Sequence, residues 1–275
     1  MAHVTRPIFL VSDFGLRDAY TGQVKAVIAA IAPGGRIFDL SHDVEPFAVD
    51  EGAWLLETSI ETLPGDAVVL AVVDPGVGTE RLEIAVFAEG RVFVGPDNGL
   101  LSGAFPESCR PPGERVSSVR VPPGVEVREL CSPLFRRPVV SNTFHGRDIF
   151  APAAAHLAQG VDPGRLGPCL ERVELLAAFR GVPVGFGELH GRVIHIDRFG
   201  NLITTIRCAE LFPEFEVFIG GHRIDTRVRT FAEGPAGVPF CHADSSGYLA
   251  VAVNTGDAAR TLGVSRGEPV LVRRR

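Results

Sequence analysis

The sequence predicts a two-domain protein: an α/β domain with a largely parallel layered sheet, followed by a smaller all-β, barrel-like domain. Three observations carry that reading. Short runs rich in Val and Ile alternate with helix-period patterns over the first half of the chain, which is how a layered α/β fold reads. Beyond residue 186 the pattern becomes short apolar runs separated by Gly, Asn, Asp and Pro turns, the spacing of a small β domain. Between the two, the run from Phe179 to Gly187 is dominated by Gly, Pro and Val and reads as a linker. The expected division is an α/β domain over 1–170, a connecting segment over 171–185 and a β domain over 186–275.

The elements follow in order. Residues 8–11 form a first apolar run, and 20–32 carry apolar residues near helical spacing. Residues 37–40 give a second strand, and 49–61 a second helix that holds the only Trp, Trp54. Strands are expected at 67–73, 82–87 and 91–94, the first of them continuously apolar, as a strand buried on both faces of a parallel sheet should be. Pro and Arg crowd 106–138, which suits surface loops and short strands. A further helix is expected at 149–159, ended by Gly160. In the second domain the candidate strands are 193–196, 202–206, 217–219, 249–253 and 270–272.

Composition narrows the function classes. The chain has 275 residues, 45% of them hydrophobic, and a formal net charge of −6. That is enough apolar content to bury a sizeable core and too little charge imbalance for disorder. Lys25 is the only lysine, so nearly all positive charge is Arg, and an acidic chain lacks the basic footprint of a nucleic-acid binder. Five widely spaced cysteines form no C-x-x-C pair, which favours a reducing, cytoplasmic setting over a disulfide or zinc framework. The start of the chain lacks a signal-peptide pattern, and no apolar run approaches the roughly 18 residues of a membrane span. A membrane partner is therefore not expected either.

Polar residues gather where predicted strands end, the place an open α/β sheet puts its ligand crevice. Ser12-Asp13-Phe14-Gly15, Ser41-His42-Asp43, Asp74-Pro75-Gly76-Val77-Gly78-Thr79, Gly95-Pro96-Asp97-Asn98-Gly99 and Asn142 to Asp148 are five such turns. Each alone could be a plain turn; five in register point to a shared site. No H-E-x-x-H, phosphate-binding loop or G-x-S-x-G elbow is present, which leaves little support for zinc-protease, nucleotide-triphosphate or acyl-transfer chemistry. Asp74, Arg81 and His145 remain as an acid, a permanent cation and a titratable ring. An Asp-rich crevice with His also suits a metal-dependent nucleoside or phosphoester hydrolase, and a pocket without turnover would make a ligand-binding protein. At this level His145 and Asp13 also read as helix caps, Arg81 as a surface ion pair and Phe199 as a core ring. The remaining histidines, His42 among them, have no evident partner set.

These motifs, with Thr143-Phe144-His145-Gly146-Arg147-Asp148, Arg198-Phe199-Gly200-Asn201 and Ser245-Ser246-Gly247-Tyr248-Leu249, resemble the S-adenosylmethionine hydroxide adenosyltransferases, relatives of the fluorinating and chlorinating 5′-halogenases. The resemblance runs in order over essentially the whole chain. It implies hydrolysis of S-adenosyl-L-methionine to adenosine and L-methionine, by in-line attack of water or hydroxide on the ribose C5′, with no cofactor and no metal. The family's Asp-Arg-His set falls on Asp74, Arg81 and His145. Where the halogenases carry an uncharged Tyr, this chain carries Asp74, and a carboxylate there favours water over a halide anion.

Binding roles follow from the same resemblance. Asp13 matches the ribose acceptor, Phe47 an aromatic near the ribose or base, Asp197 the acid at the methionine ammonium, Phe199 an adenine-stacking ring and Asn201 an amide reading the adenine edge. Ser245 and Ser246 fall where relatives hold the methionine carboxylate. The halogenases have Arg at the position of Ser246, and the motif around Asp197 is one residue shorter here. A homotrimer with sites at subunit interfaces is also implied, since the matched residues divide between the two domains.

Overall fold

In the computed structural model, which describes residues 5–113 and 116–275, one unit ends at Ala178 and a second begins at Phe179. The first contains β1 (Ile8–Ser12), β2 (Ile37–Ser41), β3 (Val68–Val72), β4 (Glu83–Ala88), β5 (Arg91–Pro96), β6 (Ser117–Arg120), β7 (Glu126–Glu129) and β8 (Arg172–Leu175). Six of these form one sheet in the order β2-β1-β3-β5-β4-β7. The first four run parallel, with Ile8 opposite both Ile37 and Val68. β4 and β7 extend the sheet in antiparallel sense.

Every residue of β3 is buried, and the period-2 geometry of a strand divides them between two cores. Val68, Leu70 and Val72 join the helices α1 (Tyr20–Ile31) and α3 (Ala151–Ala158) on one face. Val69, Ala71 and the following Val73 join Leu56 of α2 (Val49–Ser59) on the other. Three layers result, α/β/α, with about 1.5–3 kcal/mol for each large apolar side chain fully removed from water. In α1 the buried residues are Thr21, Val24 and Ile28, one helical stripe. At Gly52 of α2 a Cβ would lie 2.9 Å from Leu100 and 3.0 Å from Val73, so the absent side chain sets how closely this helix approaches the sheet.

Several boundaries differ from expectation. The helix expected at 149–159 opens with a π-helical turn, Gly146–Phe150, before α3. The segment 106–138 supplies β6, β7 and short 3-10 turns; its residues 114–115, like residues 1–4 of the amino-terminal reading, lie outside the described residues. Residues 172–175, expected as connecting chain, form β8 instead, paired antiparallel with β6 and burying Val173 and Leu175. Two alternating apolar residues are too short a pattern to separate from a linker.

The second unit comprises β9 (Val182–Pro183), β10 (Glu188–Ile196), β11 (Leu202–Arg207), β12 (Phe215–Ile219), β13 (His222–Ile224), β14 (Pro239–Ala243), β15 (Tyr248–Val253) and β16 (Pro269–Arg274), with the short helix α4 (Ala258–Leu262). These strands pair with one another in antiparallel sense, in the order β13-β12-β16-β10-β11-β15-β14 with β9 on β10, and a parallel bridge joins Arg227 to Cys241. The two ends of that path meet: the Cys241 amide donates to Thr226, and the Val228 amide donates to the Cys241 carbonyl. The sheet is therefore nearly a closed barrel, filled by Val193, Leu202, Val217, Val251 and Val272. β13, β14 and α4 were not expected. α4 is only five residues long and is fixed by its caps: the Asp257 side chain accepts from the Arg260 amide at one end, and Gly263 takes the left-handed conformation at the other. Among the described residues no helix is long and apolar enough to cross a membrane.

Candidate active site

β1 and β3 pair in parallel, so their carboxyl ends deliver Asp13 and Asp74 side by side. A cleft of about 620 Å³ opens there, lined by Asp13, Phe14, Tyr20, Phe47, Asp74, Phe144 and His145. Of the residues singled out in the first unit, four line this cleft, and Arg81 stands directly behind Asp74.

Asp13 is half-buried and accepts the Phe47 amide at 2.9 Å. Burial pushes its carboxyl above the ordinary value, the nearby Asp74 carboxylate adds to the rise, and the backbone hydrogen bonds oppose it. Phe47 has a φ of 69° and is 71% exposed. The turn is braced from beneath. Ser12 Oγ lies 2.7 Å from His42 Nδ1, His42 Nε2 lies 3.0 Å from Asp39, and Lys25 donates to Asp39 at 2.6 Å. His42 thus has the partners that were not evident in sequence, and the sole lysine ends the chain. Ser12 is 3% exposed, so this Ser-His-Asp series supports the Asp13 turn and offers no accessible nucleophile.

Asp74 and Arg81 form a buried fork. Arg81 Nε donates to Asp74 Oδ1 at 2.8 Å and Nη2 donates to Oδ2, with 6% of the Asp74 side chain and 10% of the Arg81 side chain exposed. The guanidinium lies over Phe150, 5.4 Å from its centroid. This is not a surface pair: two parallel charge-assisted bonds in a poorly solvated setting fix the carboxylate's plane. His145 closes the group, with Nδ1 3.1 Å from Arg81 Nη2 and 2.9 Å from Glu83 Oε1. It precedes the π-helical turn, but its side chain makes no capping bond.

The loop that carries His145 is tied by Asp148, which is fully buried. Burial alone would raise this carboxyl, but bonds from Arg147, the Ser141 amide and Arg137 outweigh it and hold the value at about 2. Arg147 also reaches Gln23 and covers the Phe144 ring.

In the second unit, Asp197, Phe199 and Asn201 share one turn. Asp197 accepts from the Phe199 and Asn201 amides and from the Asn201 side chain. Asn201 is buried, whereas Phe199 is 74% exposed and so is not a core ring. A Cβ at residue 200 would lie 2.2 Å from Asp257, and its φ is 81°, so only glycine fits this turn. Ser245 and Ser246 are exposed in a different turn, organised by Asp244, which accepts from the Ser246 and Tyr248 amides. β11 and β15 are antiparallel, with Leu202 opposite Val251 and Arg207 opposite Tyr248. The two turns therefore stand at opposite ends of that strand pair and are not brought together.

Sequence reasoning missed several residues here. Glu83 and Arg136 are the most consequential: Arg136 Nη2 lies 3.1 Å from Glu83 Oε2, so Glu83 joins Arg81, Arg136 and His145. Phe14, Tyr20 and Phe144 form a mutually contacting set of rings, with centroids 5.2–6.1 Å apart. Phe14 and Phe144 sit inside the quoted motifs, beside Asp13 and His145, and that adjacency was the available signal. Among the described residues no group of three or more His, Cys, Asp or Glu side chains is arranged to hold a metal ion.

The chain is similar over nearly its whole length to known proteins. The chain is 45% identical over 274 residues, 96% of its length and 98% of the relative's, to a protein of Thermus thermophilus named (R)-S-adenosyl-L-methionine hydrolase. It is 28% identical over 305 residues, 96% of each chain, to a fluorinase of an Actinoplanes species. A crystal structure from Thermotoga maritima matches with a TM-score of 0.82 at 34% identity, covering 97% of this chain and all of that one. Residues 8–167 match the model of the SAM hydroxide adenosyltransferase N-terminal domain and residues 191–271 that of its C-terminal domain, so the chain belongs to the S-adenosylmethionine hydroxide adenosyltransferase family.

Proposed function

We propose that this chain hydrolyses S-adenosyl-L-methionine to adenosine and L-methionine. The observation that carries the reading is the Asp74–Arg81 fork with His145 at a cleft that also holds Asp13 and the rings of Phe14, Tyr20 and Phe144. A sulfonium is a cation and an activated leaving group. Acidic oxygens and ring faces attract it, and it departs from C5′ as a neutral thioether without acid assistance. The enzyme's task is then to hold one water in line with the breaking bond, and alignment of this kind contributes about 7–11 kcal/mol. Asp74, its plane fixed by Arg81, is the acceptor that orients the water. No cofactor is needed for such a step, and turnover should persist in the presence of a chelator.

Asp13 offers two oxygens to the ribose diol, with Phe47 beside it. Asp197, Phe199 and Asn201 serve the ammonium and adenine, and Ser245 and Ser246 the methionine carboxylate. We further propose a homotrimer with sites formed between subunits, because these residues belong to two separate units, and a cytoplasmic location, consistent with five free thiols. The (R) in the Thermus relative's name leads us to propose the (R)-sulfonium epimer as the preferred substrate here.

The test is turnover in heavy-oxygen water with each sulfonium epimer. Label in the adenosine 5′-hydroxyl, faster from the (R) epimer, is the expected result. Unlabelled adenosine overturns direct attack by water, and binding without turnover makes the protein an adenosyl-ligand binder.

A further inference from the structure

We propose that Glu83 is a positioning residue that fixes the His145 ring with its Nδ1 protonated, leaving Nε2 to take the proton from the attacking water; this rests on the hydrolase reading above. The argument begins with what each neighbour of Nδ1 can do. Glu83 Oε1, at 2.9 Å, is an acceptor, and Arg81 Nη2, at 3.1 Å, is a donor. Nδ1 satisfies only one of them. Arg81 has partners elsewhere: Nε and Nη2 donate to Asp74 and Nη1 donates to Glu83 at 3.0 Å. A bare Nδ1 would instead set its lone pair against a carboxylate oxygen. The proton therefore belongs on Nδ1, and Glu83 accepts it.

The remaining ring nitrogen is the functional one. Nε2 makes no hydrogen bond to a described residue, and His145 lines the cleft that Asp13 and Asp74 also line. Glu83 itself is held from the other side, where Arg136 approaches Oε2 while donating to the Leu130 carbonyl at 2.7 Å. A carboxylate held by two guanidinium groups orients the imidazole and stabilises the imidazolium when it forms. Asp74 cannot turn to do this, because both its oxygens face Arg81. In the step itself the water oxygen bonds to C5′, the C5′–S pair passes to sulfur, and one water proton moves to Nε2 and then to solvent. The charged groups around the ring are Glu83 and Arg81 at Nδ1, with Asp13, Asp74 and Arg147 along the cleft.

Two readouts test this on the full chain. In long-range ¹H–¹⁵N spectra, with His145 identified by loss of its signals in His145→Gln, the neutral ring should show Nδ1–H and a bare Nε2. Its titration midpoint should fall in Glu83→Gln, which keeps size and an acceptor oxygen but removes the charge. In kinetics, Glu83→Gln should lower kcat by about 100-fold, the order of a general-base contribution, with KM little changed and the acid limb of kcat/KM moved to lower pH. A neutral ring protonated on Nε2, or an unmoved midpoint, overturns the proposal even if the wild type turns over substrate. So does a Glu83→Gln enzyme whose loss lies in KM or in thermal stability alone. Absence of wild-type turnover counts against the hydrolase reading, and the spectra still decide the role of Glu83.

Discussion

Gly78 is pressed against Asn142: a Cβ at residue 78 would lie 2.4 Å from the Asn142 carbonyl oxygen, and the backbone there has a φ of 77°. This contact joins the turn after β3, which carries Asp74, to the loop that carries His145. Gly78→Ala adds both a steric clash and left-handed strain. Activity should fall by about 100-fold, the cost of displacing catalytic groups by an ångström, while the protein loses about 1–3 kcal/mol of stability. Steady-state kinetics and thermal unfolding measure the two effects. An Ala variant with full activity would show that the two segments are positioned independently.

Much of this arrangement was legible in the sequence because it is local to strand ends. The apolar run at 67–73 marked the central strand, and Asp13 and Asp74 follow their strands directly, so parallel pairing alone made them neighbours. Glu83 was not legible. A single acid at the start of an apolar strand reads as solvent-facing, and its partners lie two, 53 and 62 residues away. His42 was missed for the same reason, with Ser12 thirty residues upstream. β13, β14 and α4 are too short to show a period, and their places are set by barrel closure and caps rather than by pattern.

Arg81→Lys keeps the charge but loses the fork. An ammonium donates to one Asp74 oxygen at a time and cannot hold the carboxylate's plane. The expected result is a fall in kcat of about 100-fold with a smaller change in KM. Kinetics at fixed pH, with circular dichroism confirming an unchanged fold, checks it; equal activity would mean that the plane of Asp74 does not matter.

Asp13→Asn tests the binding role assigned to a carboxyl that burial holds above its ordinary value. An acid so raised is charged only above the raised value, so in the wild type KM should climb as pH falls through it, at a higher pH than for a surface Asp. The Asn variant should bind about 10- to 100-fold more weakly, the range for a hydrogen bond to a charged group, and its KM should lack that pH dependence. A wild-type KM that is flat across the acid range would remove Asp13 from ribose recognition.

Asp97 offers a stability prediction in which the sign is the informative part. Its carboxyl is mostly buried beyond β5, accepts the Glu174 amide at 2.9 Å and is pushed up from 3.8 to about 6, chiefly by burial, with that amide bond opposing, the Glu174 carboxylate adding and Arg81 opposing. The folded chain therefore holds a proton that the unfolded chain has released between about pH 4 and pH 6. In that window the folded state binds more protons, so stability falls as pH rises and stays lower above pH 6. At about 1.4 kcal/mol per pKa unit the penalty is at most about 3 kcal/mol. Asp97→Asn keeps an acceptor for the Glu174 amide and removes the charge, so the decline should flatten and the variant should be the more stable protein at pH 7. Urea unfolding followed by the fluorescence of Trp54, the only tryptophan and buried in α2, reports on this unit. A variant no more stable than the wild type at pH 7, with an unchanged slope between pH 4 and pH 6, would mean that water or Arg81 already neutralises the cost of burying Asp97.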